Sequence, residues 1–136
     1  MKRPPSDFEL LKAICERHER DYEERRTGPE RTGVAVPIDI PAIAESLGTN
    51  ADSVAGRLYH HLNRVYSEER PADGSAPRPL FIRQGNGEAN LINFPLLEAA
   101  LAGLWQERNR QLWTVGLSLL SIGVAVAALI VSIVTA

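Results

Sequence analysis

The sequence predicts a mainly α-helical protein with a small β-hairpin and a long C-terminal helix that spans a membrane. Residues 112–136 carry no charge, and 13 of these 25 residues are Leu, Ile or Val. Two short apolar runs flank an Asn-Gly pair at residues 86–87, which is a strong signal for a hairpin. Much of the chain before residue 112 repeats apolar residues every three or four positions, the period of an amphipathic helix.

The C-terminal apolar run is long enough to cross a bilayer as a helix. At about 1.5 Å per residue it reaches roughly 37 Å, against a hydrocarbon core of ~30 Å. Each aliphatic side chain favours insertion by roughly −0.3 to −0.6 kcal/mol. A buried core helix or a soluble oligomerisation helix is the alternative, but core helices are usually shorter and keep a polar edge. We therefore assign residues 112–136 as a transmembrane helix.

The residues beside this run predict its orientation. Arg108 and Arg110 precede it, and Trp113 stands where an interfacial aromatic is expected. Because cytoplasmic flanks are enriched in Arg and Lys, the rest of the chain is expected in the cytoplasm. The N-terminus has no apolar run behind Lys2 and Arg3, unlike a signal peptide. The sequence thus predicts a single-pass, tail-anchored protein of the inner (cytoplasmic) membrane.

Charge and cysteine content narrow the functional classes. The chain has 15 basic and 17 acidic residues, a net charge of −2, so it lacks the overall positive field that drives non-specific binding to nucleic acids. Its single cysteine, Cys15, cannot form an internal disulfide, which fits a reducing compartment.

Residues 1–32 are predicted to form an N-terminal amphipathic helix that belongs to the cytoplasmic domain. Ser6 and Glu9 have the spacing of a capping box, and the helix should run to about Arg26. The predicted apolar stripe comprises Phe8, Leu10, Leu11, Ile14, Cys15, His18 and Tyr22.

Two helices separated by a tight turn are predicted next, after a short strand at residues 34–38 that contains Pro37. Asp39 is the expected N-cap of a helix over Ile40–Leu47, and Gly48 is its C-terminal stop. A second helix should begin at a capping pair formed by Thr49 and Asp52, with Asn50 also capping its start, and run to about Ser67. Its predicted buried stripe is Val54, Leu58, Leu62 and Val65.

The spacing of Ala44, Gly48 and Val54 resembles that of a helix-turn-helix, in which a small residue, a turn glycine and a β-branched residue pack two helices closely. Arg57 departs from the family pattern, because an apolar residue is usual there. A loop over residues 68–79 and a hairpin over residues 80–94 follow. Together with the early strand, this order resembles the winged helix-turn-helix fold over residues 33–95.

The remaining segments complete the predicted organisation. Residues 96–111 are expected to be a connecting helix, continuous with the transmembrane helix because its glycines only weaken a helix by about 1 kcal/mol each. Trp105 is predicted to lie in the core of the domain.

No residues have the spacing of a catalytic or metal site. His60 and His61 are adjacent, so on a helix their side chains point about 100° apart. His18 and Cys15 have a better spacing for a ligand pair, but both lie on the predicted apolar stripe, where packing is the simpler role. We therefore expect a non-enzymatic protein without a metal or other cofactor.

The resemblance to winged helices implies a nucleic-acid-binding surface on the second helix and the hairpin. Residues 33–95 nevertheless hold five bases against seven acids. The candidate DNA-contacting residues are Asn50, Ser53, Arg57, His60 and Arg64 on the helix, with Arg78, Arg83 and Asn86 at the hairpin.

The first functional hypothesis is a DNA-binding regulator tethered to the membrane bilayer. The alternative is a winged helix that binds a cytoplasmic protein, as an adaptor or sensor that controls oligomerisation or an action of the transmembrane helix on the membrane. Two pairs of small residues would permit close helix approach in a homo-oligomer. They are Gly123 with Ala127 and Ala128 with Ser132.

Overall fold

The computed structural model describes residues 3–28, 34–83 and 90–136. These residues form a mainly helical chain with a small three-stranded sheet and one long apolar C-terminal helix. The chain divides into two compact units, Met1–Ala102 and Gly103–Ala136. The coarse fold class predicted from the sequence is therefore confirmed.

Helix α1 spans Asp7–Thr27 and begins with the predicted capping box. The Ser6 hydroxyl accepts from the backbone N–H of Glu9 at 3.1 Å, and the Glu9 carboxylate accepts from the backbone N–H of Ser6 at 2.8 Å. Two backbone donors that the first helical turn leaves without partners are thereby satisfied. Four residues of the predicted stripe are buried, namely Leu10, Leu11, Ile14 and His18.

Strand β1 spans Ala35–Ile38, and helix α2 spans Ile40–Leu47 with the predicted bounds. The Asp39 carboxylate accepts from the backbone N–H of Ala42 at 3.1 Å, which makes it the N-cap. Gly48 ends the helix with φ 67°, a left-handed conformation that favours glycine. The tight turn predicted from this glycine is confirmed.

The second predicted helix is continuous but not uniformly α-helical. It consists of α3 over Ala51–Gly56, a π-helical segment over Arg57–Leu62, and α4 over Asn63–Tyr66. Its N-cap is Asn50, whose side chain accepts from the backbone N–H of Ser53 at 2.7 Å, and not the predicted Thr49–Asp52 pair.

The predicted burial of Val65 is wrong, because its side chain is 51% exposed. Val54, Leu58 and Leu62 are buried as predicted, at a spacing of four residues. A π-helical segment bonds residue i to i+5 and so takes more residues per turn than the 3.6 of an α-helix. The buried line therefore continues to the half-buried Tyr66 rather than to Val65.

Strands β2, Phe81–Arg83, and β3, Asn90–Asn93, form the predicted antiparallel hairpin. Strand β3 also pairs antiparallel with β1, so the order in the sheet is β1-β3-β2. One row across all three strands is buried, formed by Val36, Ile92 and Phe81. The predicted Asn-Gly turn, with Asn86, lies outside the described residues.

The core of the first unit joins the helices to one face of the sheet. Helix α5, Phe94–Val134, begins directly after β3 and contributes Phe94, Leu97 and Ala100 to this core. The rings of Phe94 and Tyr22 stack with their centroids 4.4 Å apart, which joins the start of α5 to α1. The other large buried side chains are Leu10, Leu11, Ile14, Ile43, Leu58, Leu62, Leu80, Ile92, Val36 and Val54.

The second unit is the remainder of α5, from Gly103 onward. The helix is long and apolar enough to cross a membrane, with a mean hydropathy of 2.7 over its most apolar window and none of that window buried. The predicted core position of Trp105 is wrong, because its side chain is 58% exposed. Trp105 lies beyond Ala100, the last buried residue of the helix.

Candidate recognition surface

Four of the predicted contact residues lie exposed on the helical run from residue 51 to 66 or at its cap. Asn50, Ser53, His60 and Arg64 are all exposed. Asn50 uses its side-chain oxygen to cap the helix, as described above. Arg64 forms no ion pair with any residue in the described ranges, so its guanidinium can meet a ligand.

Arg57, the fifth of these residues, is held within the protein. Its guanidinium donates to the backbone carbonyl of Pro5 and forms an ion pair with Asp7 at the start of α1. The side chains of Arg57 and Asp7 are only 29% and 28% exposed. His61 lies on the other side of the same carboxylate, with its Nε2 3.1 Å from Asp7 Oδ2. Burial and the Asp7 charge raise the pKa of the nearby Tyr66.

Two exposed apolar side chains stand beside the predicted polar residues. Tyr59 is 54% exposed and Val65 is 51% exposed. The Tyr59 ring meets the His60 ring edge-on, with centroids 5.0 Å apart. Tyr59 was not among the candidate residues predicted from the sequence, although it is an aromatic residue off the predicted apolar stripe. Aromatic residues are enriched at protein interfaces, where a ring provides much contact area at a small entropic cost.

Arg78, a candidate contact beside the hairpin, lies in the loop that was predicted over residues 68–79. Arg78 and Glu68 exchange two backbone hydrogen bonds of 2.8 and 2.9 Å. The Arg78 guanidinium lies 3.0 Å from the Asp73 carboxylate and 3.8 Å from that of Glu68. Hydrogen bonds from the hydroxyl and backbone N–H of Ser75 lower the pKa of Asp73. The guanidinium of Arg78 is therefore paired with carboxylates of its own loop.

The hairpin is attached to the helix by side-chain hydrogen bonds. Asn63 Oδ1 accepts from the backbone N–H of Phe81 at 3.0 Å and from the Ser67 hydroxyl at 2.8 Å. Ser67 Oγ in turn accepts from the backbone N–H of Leu80 at 2.9 Å. These bonds fix β2 beside the π-helical segment and α4.

A groove of roughly 370 Å³ lies between this helix and the sheet. Its walls bring His60 and Arg83 together, whereas Ser53 and Arg57 line a separate crevice beside the N-terminal prolines. Asn50, Arg64 and Arg78 line neither. The groove is lined by Ile40, Pro41, Ala51, Asp52, Ala55, Gly56, Tyr59, His60, Phe81, Arg83 and Asn90.

His18 and Cys15, the pair considered for metal binding, pack within the folded protein. His18 is buried, its Nε2 accepts from the backbone N–H of Asp39 at 3.3 Å, and its Nδ1 lies 3.5 Å from the Asp21 carboxylate. Burial raises the pKa of the half-buried Cys15 thiol, and Glu19, Glu98 and Glu16 add to the effect. Within residues 3–28, 34–83 and 90–136, no cluster of three His, Cys, Asp or Glu side chains could hold a metal ion.

The predicted membrane residues all lie on exposed positions of the second unit. Trp113 is 68% exposed, and Arg108 and Arg110 are exposed one turn before it. The four small residues are likewise exposed, and a Cβ atom added at Gly123 would meet nothing within 4 Å. The small residues are Gly123, Ala127, Ala128 and Ser132.

No family model matches the chain, and no curated protein or solved structure is significantly similar to it. Its function therefore has to be inferred from its own residues and their geometry.

Proposed function

We propose that the chain is a membrane-anchored winged-helix module that recognises a protein partner and catalyses no reaction. The order of elements supports the fold: α1, β1 and α2 precede the helical run from residue 51 to 66, and the β2–β3 hairpin follows. The β2–β3 hairpin also pairs with the early strand β1, as the winged-helix resemblance leads us to expect.

We infer that the partner is a protein rather than DNA mainly from the contacts of Arg57. Arg57 was one of the candidate DNA contacts on this helix, but its guanidinium is bound to Asp7 and the Pro5 carbonyl. DNA affinity depends on several cations that are free to neutralise phosphates. The exposed Tyr59 and Val65 instead offer the aromatic and aliphatic contacts that anchor protein interfaces.

Anchoring is supported by the second unit. Its large apolar side chains from Leu112 to Val134 are between 51% and 77% exposed, and water is an unfavourable solvent for such a surface. A helix that satisfies its own backbone groups is stable in the hydrocarbon core. The cytoplasmic orientation remains a prediction from Arg108 and Arg110.

DNA binding is the second candidate, because specific cations do remain available. Arg64 and Arg83 have no ion-pair partner among the residues the structure describes, and Ser53 and His60 are exposed on the same helical run. A duplex could be held by these residues without Arg57.

Site-specific photo-crosslinking separates the two candidates. We would place benzoylphenylalanine at Tyr59 or Val65 of the full-length chain in membranes, with the exposed Glu24 of α1 as the control position. The proposal expects a discrete protein adduct from Tyr59 or Val65 and none from Glu24. Equal labelling from all three positions would count against it.

The DNA candidate is tested on the full-length chain in detergent with mixed-sequence duplex. If DNA is the ligand, affinity should fall steeply with salt and should weaken on Arg64→Ala. The protein-partner proposal expects no such binding at low salt. Strong binding that depends on Arg64, without a protein adduct at Tyr59, would replace it with the DNA candidate.

A further inference from the structure

We infer that the groove between the helix and the hairpin binds an extended peptide segment of the partner, with a carboxylate side chain directed to Arg83 and an apolar side chain on the groove floor. The inference rests on the proposed function and specifies the chemistry of its partner. The groove volume of roughly 370 Å³ admits a few peptide residues rather than a whole helix.

The groove has an apolar floor, and its wall on the side of the helix is formed by small residues. Phe81 and Ile40, which are 2% and 4% exposed, lie beneath it. Ala51, Ala55 and Gly56 line the helix wall, so no long side chain fills the space above them. An apolar side chain of a ligand would therefore be buried against Phe81 while Tyr59 covers its side.

Charge identifies the second contact. Arg83 and His60 line the groove, and neither forms an ion pair with another residue in the described part of the chain. Asp52 is the one carboxylate on the lining, and it lies in the first turn of α3, where the helix dipole favours a negative charge. Arg83 is therefore a cation without an ion-pair partner among the described residues of the groove, and a ligand carboxylate complements it.

The backbone of β2 favours an extended ligand. Strand β2 is at the edge of the sheet, and its Phe81 N–H is donated to Asn63 rather than to β3. Because directions alternate along an antiparallel ladder, the peptide N–H of Arg83 points away from β3 as well. Residues two apart share a sheet face, so the Arg83 side chain lies on the Phe81 face, toward the groove. An extended peptide can thus accept from the Arg83 N–H, beyond the part of the edge that Asn63 occupies.

The test uses full-length protein in phospholipid nanodiscs and a library of random nine-residue peptides. We expect selection of peptides with one Asp or Glu near an apolar residue, and an affinity roughly tenfold lower when that acid is replaced by its amide. Arg83→Glu should switch the selection to peptides with Lys or Arg. Ala55→Leu should remove the preference for the apolar residue by filling the groove.

Arg70→Glu is the matched control, because it makes the same change of net charge in an exposed loop residue that does not line the groove. It should leave the selection unchanged. Selection without acidic residues, or the same selection by the Arg83→Glu and parent proteins, would overturn the inference. Duplex DNA binding that requires Arg83 would also overturn it and assign the groove to nucleic acid.

The two proposals fail in different ways. If no peptide is selected but crosslinks from Tyr59 or Val65 persist, the helical surface recognises a protein partner and the inferred chemistry of the groove is wrong. If peptides are selected but no protein crosslinks form in membranes, the groove has the inferred chemistry and the proposed function is wrong.

Discussion

Arg57 and Asp7 form a half-buried ion pair between two helices, although they are 50 residues apart in the sequence. The same guanidinium also binds the Pro5 carbonyl, so it holds the segment before α1 as well as the helix itself. The predicted helix-turn-helix pattern has an apolar residue at this position, whereas Arg57 joins the two helices by polar contacts.

We predict that Arg57→Ala lowers the free energy of unfolding by about 1–3 kcal/mol, because it removes the donor to Asp7 Oδ1 and to the Pro5 carbonyl. Urea unfolding can be followed by thiol labelling of Cys15, which is half-buried in the folded protein. Arg64→Ala removes an exposed arginine from the same helical run and should stay within about 0.5 kcal/mol of the parent protein.

A double-mutant cycle with Asp7→Ala tests whether the effect belongs to the pair. The two changes should be non-additive by at least about 0.5 kcal/mol, as is typical of residues in direct contact. Strictly additive effects would mean that Arg57 stabilises the protein through the Pro5 carbonyl alone.

The sequence predicted local structure well because local structure depends on neighbouring residues. The Ser6–Glu9 box, the Asp39 cap and the left-handed Gly48 each follow from interactions within four residues. The hairpin strands were predicted from their composition around an Asn-Gly pair.

The candidate site was predicted less well because it depends on distant contacts. Nothing near Arg57 in the sequence indicates that Asp7 will lie beside it. The π-helical segment could not be predicted from the sequence pattern either. The α-helical period predicts that Val65 is buried, whereas the wider π-helical turn exposes it. The groove requires the placement of β2 against a helix some twenty residues earlier, which no local pattern encodes.

We predict that Asn63→Ala loosens the hairpin from the helix. The change removes the acceptor of the Phe81 N–H, a half-buried bond of 3.0 Å, and should cost about 1–2 kcal/mol. Hydrogen exchange should accelerate at Phe81 and Leu80 while the amides of α1 keep their protection. Ser75→Ala breaks the hydrogen bonds that the Ser75 hydroxyl makes with Asp73 and Arg78 in the loop, and it is the control. Uniform acceleration throughout the first unit would instead indicate global destabilisation.

We predict that Cys15 reacts slowly with iodoacetamide at neutral pH, because burial and three acidic neighbours raise the pKa of its thiol. The pH at which the labelling rate of Cys15 is half-maximal should be higher for the folded chain than for the same chain unfolded in urea. Glu19→Gln should lower this pH, whereas Glu24→Gln, which changes an acid that does not act on Cys15, should not.

The same pKa shift makes a prediction for stability. The folded state holds the thiol proton to a higher pH than the unfolded state does, so this contribution is complete below the unfolded pKa and is lost as the pH rises through the folded pKa. A Cys15→Ala chain, followed by hydrogen exchange, should show a smaller loss of stability over that alkaline range.

The apolar tail gives the last prediction, that the full-length chain stays in the membrane pellet after extraction with alkaline carbonate. Arginine near the centre of a transmembrane helix costs about 2.5–3.5 kcal/mol, against a small gain for each aliphatic residue it replaces. A chain with both Leu120→Arg and Val124→Arg should therefore be released into the supernatant. Val65→Arg adds a charge at an exposed valine of the first unit and should leave the chain in the pellet. Recovery of the parent chain as a detergent-free monomer in the aqueous fraction would contradict the anchoring.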